Sequence, residues 1–195
     1  MRNKYLFHAY LRSGFWISLT LFILFSCAGW IFFQVSEPLL APSLESLKEI
    51  ANFSEGFNDK IQNLVLALII LLKNLSVAVL LVFLGHLLWG LPALFVIGLN
   101  GALLGVVARI LYNKGVALYN FIFGLAPHGI LELPAIFLAS AVALASVLVK
   151  WQLGYGITVT TKLQVLWRVI IPLLTLAALA EVYITPFVLR YVMPR

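Results

Sequence analysis

The stretch Pro127-His128-Gly129-Ile130-Leu131-Glu132-Leu133-Pro134 decides how this chain folds, because it heads an apolar run that reaches Val149. That run is long enough to cross a bilayer, whose hydrocarbon core is about 30 Å thick. An ionisable Glu inside such a segment is costly unless it faces protein or a water-filled cavity. We therefore expect Glu132 to point into a bundle of membrane helices.

The residues that follow Glu132 support this placement. Counting from His128 in steps of three or four traces one face of a helix. Beyond Glu132, this face carries only small residues: Ala135, Ala139, Ala143 and Ser146. Small residues let another helix backbone approach closely, which is how membrane helices associate. The pattern predicts that Glu132 lies on the packing face.

The composition excludes a soluble protein. Of 195 residues, 63% are hydrophobic and 10% charged, and the mean hydropathy is +1.07, whereas soluble domains are about 25% charged. We predict an all-α bundle that forms a single multi-pass domain (1–195) in the cell membrane. The charge of +6 fits basic flanks of membrane spans rather than nucleic-acid binding. A lone Cys27 excludes an intrachain disulfide.

Hydropathy predicts five spans, at about residues 14–34, 75–89, 93–111, 128–149 and 166–189. Lys73-Asn74 interrupts an apolar run, so 64–72 is interpreted as a tilted extension or an interfacial segment. The apolar residues 121–126 stop at Pro127, which suggests a re-entrant segment. Gly90-Leu91-Pro92 predicts a tight turn.

Residues 36–60 form the longest polar stretch and carry a net charge of −3. Within it, 43–50 has the pattern of a short amphipathic helix lying along the membrane surface. Docking of a partner protein and a solvated connector remain alternative roles for this stretch. The count of Lys and Arg on the two sides is equal, so the basic leader and the acidic stretch favour an N-terminus inside.

Polar residues of three predicted spans are expected to meet near one membrane surface. Glu132 and Glu181 lie at similar depths from that surface, and we expect a polar cluster of Glu132, Glu181, His128, Asn100 and Arg109. Its role is open between structural glue, a site for an ion, proton or small molecule, and a metal site. His128 and Glu132 have ligand spacing, but the sequence offers no second His nearby except His86, whose placement it leaves open. No pattern demands an enzyme, a metal or a cofactor.

The stretch from Pro127 to Ala135 resembles the signature PHGxxELPA of the stage II sporulation protein M family. Further positions follow the order of that family: Asn74, Gly85, Gly90, Asn100-Gly101, Gly105, Ala180-Glu181 and Thr185-Pro186. The resemblance implies a five-span membrane protein. It makes His128, Glu132, Asn100 and Glu181 characteristic polar positions, and it gives structural roles to Pro127, Gly129, Pro134, Gly101, Gly105 and Pro186.

Two functions follow from these observations. The namesake of the family anchors cell-wall hydrolases during spore engulfment, so the resemblance implies a non-enzymatic scaffold for membrane or envelope proteins. The alternative is a transporter or channel-like component with a polar site at Glu132 and Glu181. A water-accessible cavity at Glu132 would favour transport, and a dry, fully paired cluster would favour the scaffold. The lipid bilayer is a partner in both, and a homo-oligomer is compatible with both.

The predicted orientation can be tested by labelling. A cysteine introduced at Ser46, in the acidic stretch, should react with a membrane-impermeant thiol reagent added to intact cells, after Cys27 has been replaced by Ser. If the cysteine reacts only in permeabilised cells, the acidic stretch lies inside and the predicted orientation is wrong.

Overall fold

The structure is a computed structural model that describes residues 2–36, 38–42, 45, 60–154 and 156–192. Five long helices dominate this part of the chain, and a short helix follows them: α1 (Arg2–Ile31), α2 (Lys60–Leu84), α3 (Leu91–Asn113), α4 (Leu118–Leu153), α5 (Val159–Tyr183) and α6 (Thr185–Val192). The five long helices are long and apolar enough to cross a membrane. The predicted all-α bundle with five spans is therefore confirmed. Apart from Glu45, the helix predicted at 43–50 lies outside the described residues.

Short connections join the successive helices from α2 to α5, so neighbours in sequence run antiparallel. In α1, Phe22 lies against Gly101 and Ser26 against Gly105, so α1 runs parallel to α3. The start of α1, the α2–α3 turn and the α4–α5 loop therefore share one side, which we call the N-terminal face. The end of α1, the α3–α4 loop and α6 share the other side, which we call the opposite face.

The second span differs from its prediction. Helix α2 runs without a break through Lys73 and Asn74 and ends at Leu84. Both residue types are tolerated inside helices, so neither interrupts the apolar run. The predicted span at 75–89 is wrong in its boundaries, and 64–72 is an ordinary part of α2.

The predicted re-entrant segment is also wrong, because 121–126 belong to the continuous 36-residue helix α4. Pro127 and Pro134 lie inside this helix, where each removes one backbone hydrogen bond. Membrane helices tolerate proline because neighbouring helices and side chains satisfy the freed carbonyl groups.

The turn between α2 and α3 contains three successive residues with positive φ: 47° at Leu88, 57° at Trp89 and 90° at Gly90. Only glycine adopts this conformation without strain. For any other residue, the conformation costs about 1–3 kcal/mol. Helix α3 then begins at Leu91 with Pro92 in its first turn, where proline is favoured. A tight turn is therefore present and it is a strained one, but it comes before Leu91 rather than at Gly90-Leu91-Pro92, because Leu91 and Pro92 belong to α3.

The last span begins earlier than predicted. Gly154, with φ of 75°, ends α4, and Thr158 Oγ1 accepts a hydrogen bond from the backbone N–H of Thr161 at the start of α5 (3.3 Å). One π-helical turn, Leu166–Ile170, interrupts α5. The predicted span at 166–189 is therefore replaced by Val159–Tyr183, with Pro186 in the first turn of α6.

Helix α1 packs closely against α3 and α4. A Cβ atom added to Gly29 would collide with the carbonyl oxygen of Ala102, and one added to Gly105 would collide with that of Ser26. Towards α4, the buried Ser18 Oγ lies 3.0 Å from Ser140 Oγ. The predicted small-residue interface of α3 therefore exists, and its partner is α1.

This interface generates a stability prediction. Gly105→Ala should lower the free energy of unfolding by about 1–3 kcal/mol, because the added methyl group overpacks α1 against α3. Gly156→Ala is the matched control, since nothing lies within 4 Å of the Cβ position there. Unfolding of both variants in detergent measures the difference, and equal stability would contradict the close approach of the backbones.

Candidate functional site

A cavity of about 440 Å³ lies between α2 and α3, with α4 as its floor. Helices α2 and α3 are successive in sequence but make few contacts with each other, which leaves room for this cavity. Its lining reaches from Phe121, near the opposite face, to Glu132. Glu132 comes eleven positions after Phe121, which corresponds to about 16 Å of helix. The cavity therefore extends from one face into the middle of the bundle.

Both predicted carboxyl groups line this cavity. Helix α4 presents His128, Gly129 and Glu132 to it, and α5 contributes Glu181. Glu132 and Glu181 are close enough to repel each other electrostatically. Both are partly buried, so neither is simply solvated like a surface carboxylate. The structure thus brings together two acidic side chains that are 49 positions apart in the sequence.

Helix α2 contributes two polar groups that were not predicted for the site. Lys73 lines the cavity and attracts both carboxyl groups. Asn74 places its side-chain amide within hydrogen-bonding reach of Glu132. The signal was present in the sequence, because a lysine in the middle of an apolar run is itself a marker of a functional site.

His128 is held by α6. Its Nδ1 atom lies 3.0 Å from Thr185 Oγ1, and the Thr185 hydroxyl donates to the carbonyl oxygen of Ala180 (3.2 Å). With its single hydrogen used in this way, the hydroxyl accepts from Nδ1–H. The neutral imidazole then keeps Nε2 as an acceptor. Thr185-Pro186, at the start of α6, therefore sets the tautomer of a histidine that lines the cavity.

Asn100 and Arg109 behave differently. Asn100 lines the cavity, while its Nδ2 donates to the carbonyl oxygen of Val96 on the same helix (2.8 Å). Arg109 does not join the cluster: its guanidinium stacks on Trp30 and Tyr112, at 5.1 and 5.7 Å from the ring centroids. The prediction that Arg109 lies beside the carboxyl groups is therefore wrong. Arg109 is on the same face of α3 as Gly101 and Gly105, and that face packs against α1.

The glycine and the two prolines of the motif shape helix α4 around the cavity. Gly129 lines the cavity, and a Cβ atom there would lie 3.2 Å from Leu125 Cγ. Pro127 and Pro134 bracket the polar part of α4. Among the described residues, no group of three His, Cys, Asp or Glu side chains is placed to hold a metal ion.

Comparison with known proteins gives one match. The model of the family described as stage II sporulation protein M matches residues 18–186, which is most of the chain. No curated protein and no solved structure matches the chain.

The role of Lys73 can be tested by stability. Lys73→Met should destabilise the protein at neutral pH, because two neighbouring carboxyl groups lose the positive charge between them. Glu181→Gln in the same chain should recover part of the loss, with a coupling free energy of about 0.5–3 kcal/mol. Lys114→Met, in the exposed α3–α4 loop, is the control. Additive effects in thermal unfolding would show that Lys73 does not interact with Glu181.

Proposed function

We propose that this chain, which belongs to the stage II sporulation protein M family, is a multi-pass protein of the cell membrane that binds and passes a proton or small cation. The site is the cavity of Glu132 and Glu181. The observation that carries this proposal is the presence of three ionisable side chains and a histidine on one cavity of about 440 Å³ inside membrane helices. A structural cluster would need no such space.

The charges favour a cationic solute. Lys73, Glu132 and Glu181 together leave one negative charge when all three are ionised and His128 is neutral. In a membrane interior, an unbalanced charge is strongly unfavourable. A proton, a monovalent cation or a small amine would neutralise it. Nε2 of His128 is a further acceptor on the same cavity wall.

The shape of the cavity supports one-sided access. Its lining begins close to the opposite face and ends at Glu132, while the helices beyond that level are closely packed. Buried small residues of α4, including Ala139 and Ala143, fill the half towards the N-terminal face. Passage of a cation would thus require α2 or α5 to move relative to α4. The proposal assigns binding and transfer to this site, and no bond-breaking chemistry.

Proteoliposomes test the proposal. Vesicles loaded with a pH-sensitive dye report proton entry under a potassium diffusion potential, and a radioactive sodium tracer reports cation entry. The wild-type protein should accelerate one of the two relative to protein-free vesicles. Glu132→Gln should reduce that rate about tenfold or more, since losing a charged hydrogen-bonding partner costs about 1.5–3 kcal/mol.

The matched control is Glu45→Gln, the same substitution at an exposed position away from the cavity. It should transport at the wild-type rate. All variants must also give the same monodisperse elution profile, so that a folding defect is recognised. Wild-type vesicles that are no faster than empty ones with either probe would refute the proposal.

A scaffold for envelope proteins is the second candidate. The observation that favours it is the close packing of α1 against α3 and α4, through Gly29, Gly105 and the Ser18–Ser140 contact. Such packing fixes the end of α1, and the acidic stretch follows α1 in the sequence. A stretch that is attached to a fixed helix end loses less freedom when a partner binds it. Affinity purification from native membranes, with the acidic residues of that stretch changed to amides as control, tests it. A scaffold should keep its partners in Glu132→Gln.

A further inference from the structure

A second cavity, of about 380 Å³, lies at the N-terminal face and is separate from the site of Glu132. It lies beside the α2–α3 turn and the end of α4. Its polar lining consists of His86, Ser146 and Lys150, and two tryptophans also line it, Trp89 and Trp151. Ser146 is already engaged, because its hydroxyl donates to the carbonyl oxygen of Val142 (2.7 Å). His86 and Lys150 therefore define the chemistry of this cavity.

A third basic group stands behind His86. Lys162, on the first turn of α5, is only 6% exposed, and its Nζ lies 3.5 Å from His86 Nδ1. Buried lysines normally have an acidic partner. In the described part of the chain no carboxyl group interacts with Lys162 or His86. The imidazole of His86 accepts from the ammonium group, and it does not neutralise the charge.

Among the residues that the structure describes, positive charge is therefore concentrated here without a compensating carboxylate. Burial, together with the charges of Lys162 and Lys150, holds the pKa of His86 below its usual value. Of the carboxylates that the structure describes, Glu132 and Glu181 line the other cavity, and Glu45 follows the end of α1, which lies on the opposite face. A buried charge without a partner is strongly destabilising. An anion in the cavity would supply the missing partner.

We propose that the cavity of His86 and Lys150, backed by Lys162, binds a phosphate-bearing anion, either the headgroup of an anionic phospholipid or a free phosphate ion. Basic pockets between membrane helices bind phospholipid headgroups. Trp89 and Trp151 are 74% and 72% exposed, and exposed tryptophans at helix ends typically lie at the headgroup level. The site thus sits where a phosphate group from the membrane or from solution could enter.

One arm of the test uses lipid. The purified protein is placed in nanodiscs of phosphatidylcholine with a minor share of cardiolipin or phosphatidylglycerol, and native mass spectrometry counts the lipids that remain bound. The wild type should retain the anionic lipid in preference to phosphatidylcholine. Lys150→Gln and Lys162→Gln should each weaken that preference by about fivefold.

The other arm uses inorganic phosphate. Thermal unfolding in pure phosphatidylcholine nanodiscs is compared between phosphate and chloride at equal ionic strength. A phosphate-specific rise in Tm that is lost in Lys150→Gln identifies the free ion as the ligand. Anionic lipid retention without such a rise identifies the headgroup. Either result supports the proposal, and the two results distinguish the source.

Two further variants keep the test decisive. Arg168→Gln removes an exposed charge of α5 that does not line this cavity, so it should leave both readouts unchanged. Lys162→Met removes the buried charge, so it should raise Tm in phosphatidylcholine alone and reduce the effect of the anion as Lys162→Gln does. It should also raise the pKa of His86, measured by NMR. If the wild type shows no preference for either anion, or if Arg168→Gln weakens it as much as Lys150→Gln, the proposal fails.

Discussion

An ionised side chain cannot face the hydrocarbon of a membrane without a large penalty, and this constraint organises the bundle. Glu132 and Glu181 lie on different helices, yet both line the same cavity, where Lys73 offsets part of their charge. Helix α2 must therefore stand beside α4 and α5. Helix α3 is left to pack mainly on α1, and the cavity forms in the gap between α2 and α3.

Much of this arrangement was predictable from the sequence. The small residues that follow Glu132 predicted the face of α4 that became the core, and Ala135, Ala139 and Ala143 are fully buried. The glycine stripe of α3 predicted a close helix contact. Small residues at helical spacing predict a close helix contact well, because they let two backbones approach whatever residues stand elsewhere in the sequence.

The sequence misleads where an isolated polar residue or a proline resembles a local interruption. Lys73 predicts a break in the span, although in the fold its charge attracts two acidic groups from other helices. Pro127 predicts a helix end, although α4 continues past it. Depth alone predicts that Arg109 joins the carboxyl groups, whereas its angular position on α3 directs it to Trp30. Depth along a helix can be counted from sequence, but the partner depends on which helices are neighbours.

The π-helical turn of α5 lies between Lys162, which stands behind the basic cavity, and Glu181, which lines the acidic one. The two cavities share no lining residue. The π-helical turn holds one more residue than an α-helical turn would. Each residue of an α-helix turns the chain by about 100°. If 166–170 formed an ordinary α-helical turn without losing a residue, Glu181 would therefore rotate by about 100° about the helix axis, away from Glu132, while Lys162 kept its place. This one turn therefore sets the rotation of Glu181 about the axis of α5 relative to Lys162, and with it how the acidic centre of the bundle is oriented relative to its basic end.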